Sequence, residues 1–172
     1  SEELPGALLQ VVDKDGNVVE EWISTDKPHE IVAKLVVDES YVLREVRPAD
    51  GWAYAEDVPF KVSHDGTVDY VKMEDKPTHV VISKQEITGS KELPGCMLQV
   101  IDKNGNVVDE WFSTDQPHEI KEKLIADEEY TLREVRPADG WAYAEDIPFK
   151  VSHDGTVDQV KMEDKPTHVV VS

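Results

Sequence analysis

The sequence contains one long motif twice, and this internal repeat sets the strongest limit on the fold. The segment GALLQVVDKDGNVVEEW in the first half recurs as GCMLQVIDKNGNVVDEW in the second half. Trp22 is equivalent to Trp111 and Trp52 to Trp141, both with an offset of 89 positions (111 − 22). A period of this length suits a small domain in a tandem array and is too long for a solenoid repeat.

The repeat register divides the chain into three parts. Residues 78–83, THVVIS, recur as residues 167–172, THVVVS, and each segment opens a copy in this register. We therefore predict a module at 1–77 that lacks its own first strand and a complete module at 78–166. Residues 167–172 are expected to be the first strand of an absent next module, as in a piece cut from a longer array.

Short alternating segments and turn signals predict an all-β fold. Asp15-Gly16 and Asn104-Gly105 are hairpin signals. The strands predicted for the first copy are 7–11, 18–23, 29–31, 41–46, 58–62 and 67–75, followed by 78–84. No segment has a convincing helical pattern. About seven strands in about 90 residues are typical of a sandwich, so we predict two tandem antiparallel β-sandwiches.

The charge balance limits the partners. The chain has 18 basic and 37 acidic residues, which gives a formal net charge of −19. This excess opposes binding to nucleic acid or to an anionic membrane surface. No apolar run approaches the roughly 18–20 residues of a membrane span. We therefore predict no nucleic-acid partner and no membrane partner.

Strand alternation puts ionisable residues on apolar faces. The predicted inward sets are Tyr41, Leu43 and Glu45; Val71, Met73 and Asp75; Val80, Ile82 and Lys84; Tyr130, Leu132 and Glu134; and Val160, Met162 and Asp164. Burying a charge is costly unless it is paired or neutralised. Two interpretations stay open: each group lies at a strand end and reaches water, or the groups interact inside the fold.

Three segments carry a resemblance to a known family. THVVISKQEITGSKELPG, YTLREVRPADGW and VKMEDKP resemble the CnaB-type domain of Gram-positive surface proteins, also called SpaA-like or prealbumin-like. The likeness covers essentially the whole chain and implies Ig-like, prealbumin-like sandwiches. In that family a lysine and an Asp or Asn form a spontaneous isopeptide bond, assisted by a glutamate. The resemblance therefore implies that Lys84 is the amine, Asp164 its carboxyl partner and Glu134 the proton shuttle.

Burial would favour this reaction. Desolvation lowers the pKa of a lysine and raises that of a carboxyl, so that a neutral amine can act as the nucleophile. Fixed proximity can supply an effective molarity of about 10⁵–10⁸ M. Such a self-reaction is not turnover, and the sequence contains no catalytic triad pattern, phosphate loop or metal-ligand cluster. We expect a protein that is not an enzyme and has no cofactor and no metal.

The first copy differs because the register leaves it without an equivalent of Lys84. Glu45 and Asp75 are the equivalents of Glu134 and Asp164, and they have no partner amine in their own copy. We predict that the first copy forms no isopeptide bond and has an unpaired sheet edge, which favours pairing with another chain. One hypothesis is that 167–172 of another chain fills this gap by strand addition.

Two other residue types have open interpretations. Cys96 cannot form an internal disulfide and replaces Ala7 on a core face, either as a small buried side chain or as a reactive thiol. Trp52 and Trp141 follow a P-x-D-G loop and either cap the core or present an exposed aromatic contact.

The functional prediction follows from the repeat and the resemblance. We expect a structural stalk or spacer repeat of an extracellular, cell-wall-anchored bacterial surface protein, with neighbouring modules of the same protein as partners. Near identity of the copies favours a spacer, because a specific binding face rarely needs duplication. The alternatives are an adhesin or ligand-binding module, with an unidentified host or matrix ligand, and a pilin shaft subunit.

Overall fold

The computed structural model describes residues 2–172, so residue 1 of the predicted 1–77 module lies outside the described residues. Within them the chain forms β1 (Leu8–Val12), β2 (Val18–Ile23), β3 (Ser40–Arg47), β4 (Val58–Lys61), β5 (His79–Glu86), β6 (Met97–Asp102), β7 (Val107–Phe112), β8 (His118–Lys121), β9 (Glu129–Arg136), β10 (Ile147–Lys150) and β11 (Asp158–Asp164). The predicted all-β fold is confirmed. In the same residues, no helix has the length and apolar character that a membrane span requires.

The second half of the chain is a two-layer sandwich. One sheet has the strand order β10-β9-β6-β7 and the other has the order β11-β5-β8. The pairings are antiparallel except that β5 pairs in parallel with β11. β5 is therefore the central strand of its sheet, and both of its neighbours depend on it for their backbone hydrogen bonds.

The main core lies between these two sheets. Val80 and Ile82 of β5 belong to a buried apolar cluster. Its other members are Leu93, Cys96, Leu98, Val100, Ile120, Leu124, Tyr130, Leu132, Val151, Val160 and Met162. Burial of one such large side chain stabilises a fold by about 1.5–3 kcal/mol. β5 thus contributes both apolar side chains and backbone pairing to the second module.

The first half of the chain forms one sheet instead of two. Within residues 2–77 the only sheet has the order β2-β1-β3-β4, and its fully buried apolar cluster contains Val11, Tyr41 and Leu43. The prediction of an unpaired edge understated this difference, because the whole second sheet is missing.

Two strand predictions for the first copy are wrong. Residues 29–31 and 67–75 form no strand, although their equivalents in the second copy are β8 and β11. Met73 still packs against the small cluster of the first module, but Met73 and Asp75 are only half-buried and Val71 is 36% exposed, so this predicted inward face is only partly covered. The physical reason is that β8 and β11 both pair with β5, and residues 2–77 contain no equivalent of β5.

The two halves meet around Thr78, where the backbone crosses from one module to the next. Thr78 N donates to Gly51 O at 3.0 Å, and Thr78 Oγ1 donates to Leu124 O at 2.6 Å. The ring of Tyr54 stacks on His153 with 4.0 Å between centroids. The junction therefore has specific contacts and is not a bare linker.

Candidate functional site

Three ionisable side chains meet inside the second module. Lys84 lies on β5, Asp164 is the last residue of β11, and Glu134 lies on β9 in the opposite sheet. Their exposed fractions are 2%, 1% and 5%, respectively. The structure therefore brings together the three residues that the sequence singled out. In this module the interpretation that each group reaches water at a strand end is wrong.

The register of β5 and β11 explains how Lys84 reaches Asp164. Lys84 is paired with Met162, and Glu86 is paired with Asp164. Side chains alternate along a strand, so Met162 and Asp164 point to the same face. The long lysine side chain then needs to reach only one diagonal step along the neighbouring strand.

The lysine amine lies between two carboxyl groups. Lys84 Nζ donates to Asp164 Oδ1 and lies 2.7 Å from Glu134 Oε2. Glu134 Oε1 accepts a hydrogen bond from Ala144 N at 2.9 Å. Glu134 Oε2 is buried and close to the amine, but no donor among the described residues is oriented to form a hydrogen bond with it. One oxygen of Glu134 is thus held by the backbone, and the other faces the Lys84 amine.

Burial changes the acidity of Asp164. Desolvation raises its pKa to about 6, although the hydrogen bond from Lys84 and the lysine charge oppose the change. A carboxyl with a raised pKa is protonated more often near neutral pH. The protonated form is the better target for an amine, because it lacks the negative charge of a carboxylate.

Cys96 lies beside this cluster, which sequence reasoning missed. Cys96 Sγ is 3.8 Å from Asp164 Oδ2, and burial raises the pKa of the thiol. Donor atoms of Cys96, Glu134 and Asp164 all lie within 4.8 Å of one another. A metal ion there would have to displace the Lys84 amine, which already bonds Asp164. The only signal in the sequence was the replacement of Ala7 by a cysteine at the equivalent core position.

The first module contains the acidic part of the same arrangement. Glu45 Oε1 accepts a hydrogen bond from Ala55 N at 2.9 Å, as Glu134 does from Ala144. Burial, together with the nearby charge of Asp75, raises the pKa of Glu45 to about 7. Burial also raises the pKa of Asp75. These two carboxyls are hydrogen-bonded to each other, and among the described residues no lysine contributes to the shift of either pKa.

The other residues singled out from the sequence lie elsewhere. The backbones of Trp52 and Trp141 bridge to Pro77 and Pro166, at equivalent places in the two modules, and both side chains are half-buried. None of these residues is part of the lysine–carboxyl cluster.

Comparison with solved structures gives remote likenesses. The Bacillus anthracis TIE protein has a TM-score of 0.53 and 18% identity, and the likeness covers 95% of this chain and 31% of that chain. The chain thus spans about a third of that protein's length. Shaft pilin SpaA from Lactobacillus rhamnosus GG has a TM-score of 0.47 and 13% identity, with coverage of 98% and 90%. A C-terminal fragment of the pilus adhesin SpaC from the same organism has a TM-score of 0.49 and 14% identity, with coverage of 97% and 91%.

These identities show the fold alone, and no curated protein sequence matches the chain. The family model described as the SpaA prealbumin-like fold domain gives a stronger result, because it matches residues 1–77 and again residues 78–166. Together the two matches cover nearly the whole sequence, and they confirm the resemblance inferred from its motifs. The chain belongs to the SpaA prealbumin-like fold domain family.

Proposed function

We propose that this chain is a structural spacer of an extracellular surface protein on a Gram-positive cell wall. Its second module is cross-linked by a spontaneous isopeptide bond between Lys84 and Asp164. The observation that supports this most directly is the buried Lys84 amine in contact with two carboxyl groups. Membership of the SpaA prealbumin-like fold domain family, whose model matches twice in tandem, supports the role of a repeated structural module.

The proposed modules have the boundaries that follow from the repeat register. Residues 1–77 form an incomplete module, 78–166 form a complete one, and 167–172 supply the first strand of a following module. The two ranges matched by the family model support the first two boundaries. In this proposal the natural partners of the chain are neighbouring modules of the same protein.

The proposed reaction needs only groups of the cluster. The lone pair of neutral Lys84 Nζ attacks Cγ of protonated Asp164, and a C–N bond forms. Glu134 accepts a proton from the nitrogen and returns one to the departing hydroxyl, which leaves as water. The amine and the acid thus become an amide and one water molecule, with no oxidant or activated leaving group. The position of Glu134 Oε2, 2.7 Å from Nζ, suits this shuttle.

The bond would stabilise the second module and carry force. Lys84 and Asp164 are 80 positions apart in the chain. By analogy with a disulfide that closes a loop of this size, the cross-link contributes about 4–5 kcal/mol to the free energy of unfolding. Tension that enters through β5 and leaves after β11 would pass through the covalent bond and bypass most of the hydrogen bonds.

Intact mass spectrometry tests the proposal. The purified chain should weigh one water molecule less than its sequence, and Lys84→Met should abolish this loss. Lys161→Met is a matched control, because Lys161 is also next to an acid on β11 but is half exposed, and it should retain the loss. A wild-type mass equal to that of the unmodified chain would contradict the isopeptide bond.

The adhesin and pilin-shaft alternatives have no specific support. The likenesses to pilus proteins show the fold alone. Absence of turnover catalysis remains a prediction.

A further inference from the structure

The first module has a core that lacks its cover. Five apolar residues are buried in the second module: Leu98, Ile120, Leu124, Val151 and Met162. Their equivalents in the first module are only half-buried: Leu9, Ile31, Leu35, Val62 and Met73. The residue types are identical at all five positions, so the difference comes from the surroundings. In the second module Val80 and Ile82 of β5 complete the cluster, and residues 2–77 contain no such strand.

The same chain carries a second copy of the covering strand. Residues 167–172 match 78–83 at every position but one. Their three valines, Val169, Val170 and Val171, are more than 80% exposed, and the segment forms no strand. Exposed consecutive valines and an uncovered core are both unfavourable in water.

We propose that residues 167–172 of one copy of this chain insert into the first module of a second copy, in the position that β5 occupies in the second module. The second module is the template for this contact, because an almost identical segment already fills the equivalent place there. The association would cover the exposed core of one copy, and it would give residues 167–172 of the other copy neighbouring strands for their backbone hydrogen bonds.

The template fixes the register. Val80 pairs with Ile120 on β8 and with Asp158 on β11. The equivalents of Ile120 and Asp158 in the first module are Ile31 and Asp69. Val169 of the incoming strand should therefore lie beside Ile31 and Asp69, facing the core. Residues around 29–32 and 69–75, which form no strand in the single chain, should become strands on either side of it.

The junction between the modules supports the same register. Thr167 N donates to Gly140 O at 2.9 Å, as Thr78 N does to Gly51 O at 3.0 Å. One half of the junction is therefore already formed at the C-terminal end. The surface of the second module at this end is uncovered. Ala142 is exposed there, whereas its equivalent Ala53 is completely buried at the junction between the modules.

An aromatic contact would follow from this geometry. Tyr143 is 67% exposed, whereas its equivalent Tyr54 is half-buried by stacking on His153. The equivalent of His153 in the first module is His64, which is exposed. Tyr143 of one copy should therefore stack on His64 of the next, continuing the contact seen between the modules.

The contact joins two different surfaces and is therefore head-to-tail. Such a contact extends into open chains unless its rotation closes a ring. Each copy carries a net charge of −19, so repulsion opposes association and added salt should strengthen it by screening. Residues 167–172 contain no lysine, so the contact that they make does not depend on the bond proposed for Lys84.

Sedimentation velocity across a range of protein and salt concentrations tests the inference. The average mass should rise with both concentrations. Val169→Lys should weaken association at least tenfold, because it would bury an unpaired charge in the core. Val170→Lys is the matched control, since its side chain points to the other sheet face, and it should associate like the wild type. Both sites are exposed in the single chain, so neither change should unfold it.

Three outcomes would overturn the inference. These are a strict monomer under all conditions, equal effects of the two substitutions, and association without new hydrogen-exchange protection at 29–32 and 69–75. Lys84→Met should associate like the wild type. Loss of the isopeptide bond and loss of strand insertion are thus separate results.

Discussion

Lys84 donates a hydrogen bond to Asp164 across 80 positions of chain, and both side chains are buried between the sheets of the second module. In the first module the equivalent of Asp164 is Asp75, which is hydrogen-bonded to another acid, Glu45. The two copies thus provide a natural comparison between a lysine–carboxyl cluster and a carboxyl pair.

Replacing Glu134 by glutamine should prevent or greatly slow formation of the isopeptide bond. The amide keeps the shape of the side chain but cannot accept and return a proton, so the rate should fall at least about 10²-fold. Intact mass followed over time measures this rate, and near-UV circular dichroism checks the fold. Glu45→Gln is the control and should leave the mass loss unchanged. Cross-linking of E134Q at the wild-type rate would refute the shuttle role.

Lys84→Met should lower the free energy of unfolding of the second module by about 4–5 kcal/mol, because the cross-link no longer restricts the unfolded chain. Native-state hydrogen exchange at the amides of β9 measures this module by itself. Asp75→Asn in the first module is a control that should leave β9 unchanged. An unchanged exchange rate in K84M would mean that no stabilising cross-link was lost.

The first module should become more stable as the pH falls from about 7 to about 4.5. Burial raises the pKa of Glu45 to about 7 in the folded state, from 4.5, and the pKa of Asp75 is raised as well. In this window the folded state therefore binds more protons than the unfolded state, so the free energy of unfolding decreases as the pH rises. Urea titrations followed by NMR signals of β3 measure the effect.

Glu45→Gln tests the origin of this pH dependence. The substituted side chain does not titrate, so the curve of stability against pH should become flatter in the same window. A wild-type module that gains stability from pH 4.5 to pH 7, or a variant with an unchanged curve, would contradict the assignment to Glu45.

Gly51→Ala should loosen the junction between the modules. Gly51 has a φ of +86°, and a Cβ atom there would lie 2.5 Å from Glu122 O. Gly140 is the matched control, since it has a φ of +91° and nothing lies within 4 Å of the corresponding Cβ. Both substitutions carry the left-handed backbone cost of about 1–2 kcal/mol, but only G51A introduces the clash.

Hydrogen exchange at Glu122 N reports on this junction, because that amide donates to Thr78 O at 3.1 Å. Exchange there should be faster in G51A and unchanged in G140A. Equal rates in the two variants would mean that the backbone of Glu122 does not limit the space at Gly51.

Much of the site could be predicted from local pattern. Alternation placed Glu134 and Asp164 on a core face, and both are buried, because side-chain direction in a strand follows from sequence spacing alone. The closeness of Cys96 to Asp164 could not be predicted in this way. It depends on how two sheets face each other, which alternation within one strand does not specify.

The sequence by itself determined the repeat, the strand class and the residues that face inward. Only the tertiary structure decided where the second sheet forms. The segment HEIV at residues 29–32 forms no strand, whereas HEIK at residues 118–121 is β8. The difference lies in β5, which is distant in sequence from β8 and supplies its hydrogen-bond partners. A strand has no hydrogen bonds of its own within the segment, so its formation depends on a neighbour that the local sequence cannot specify.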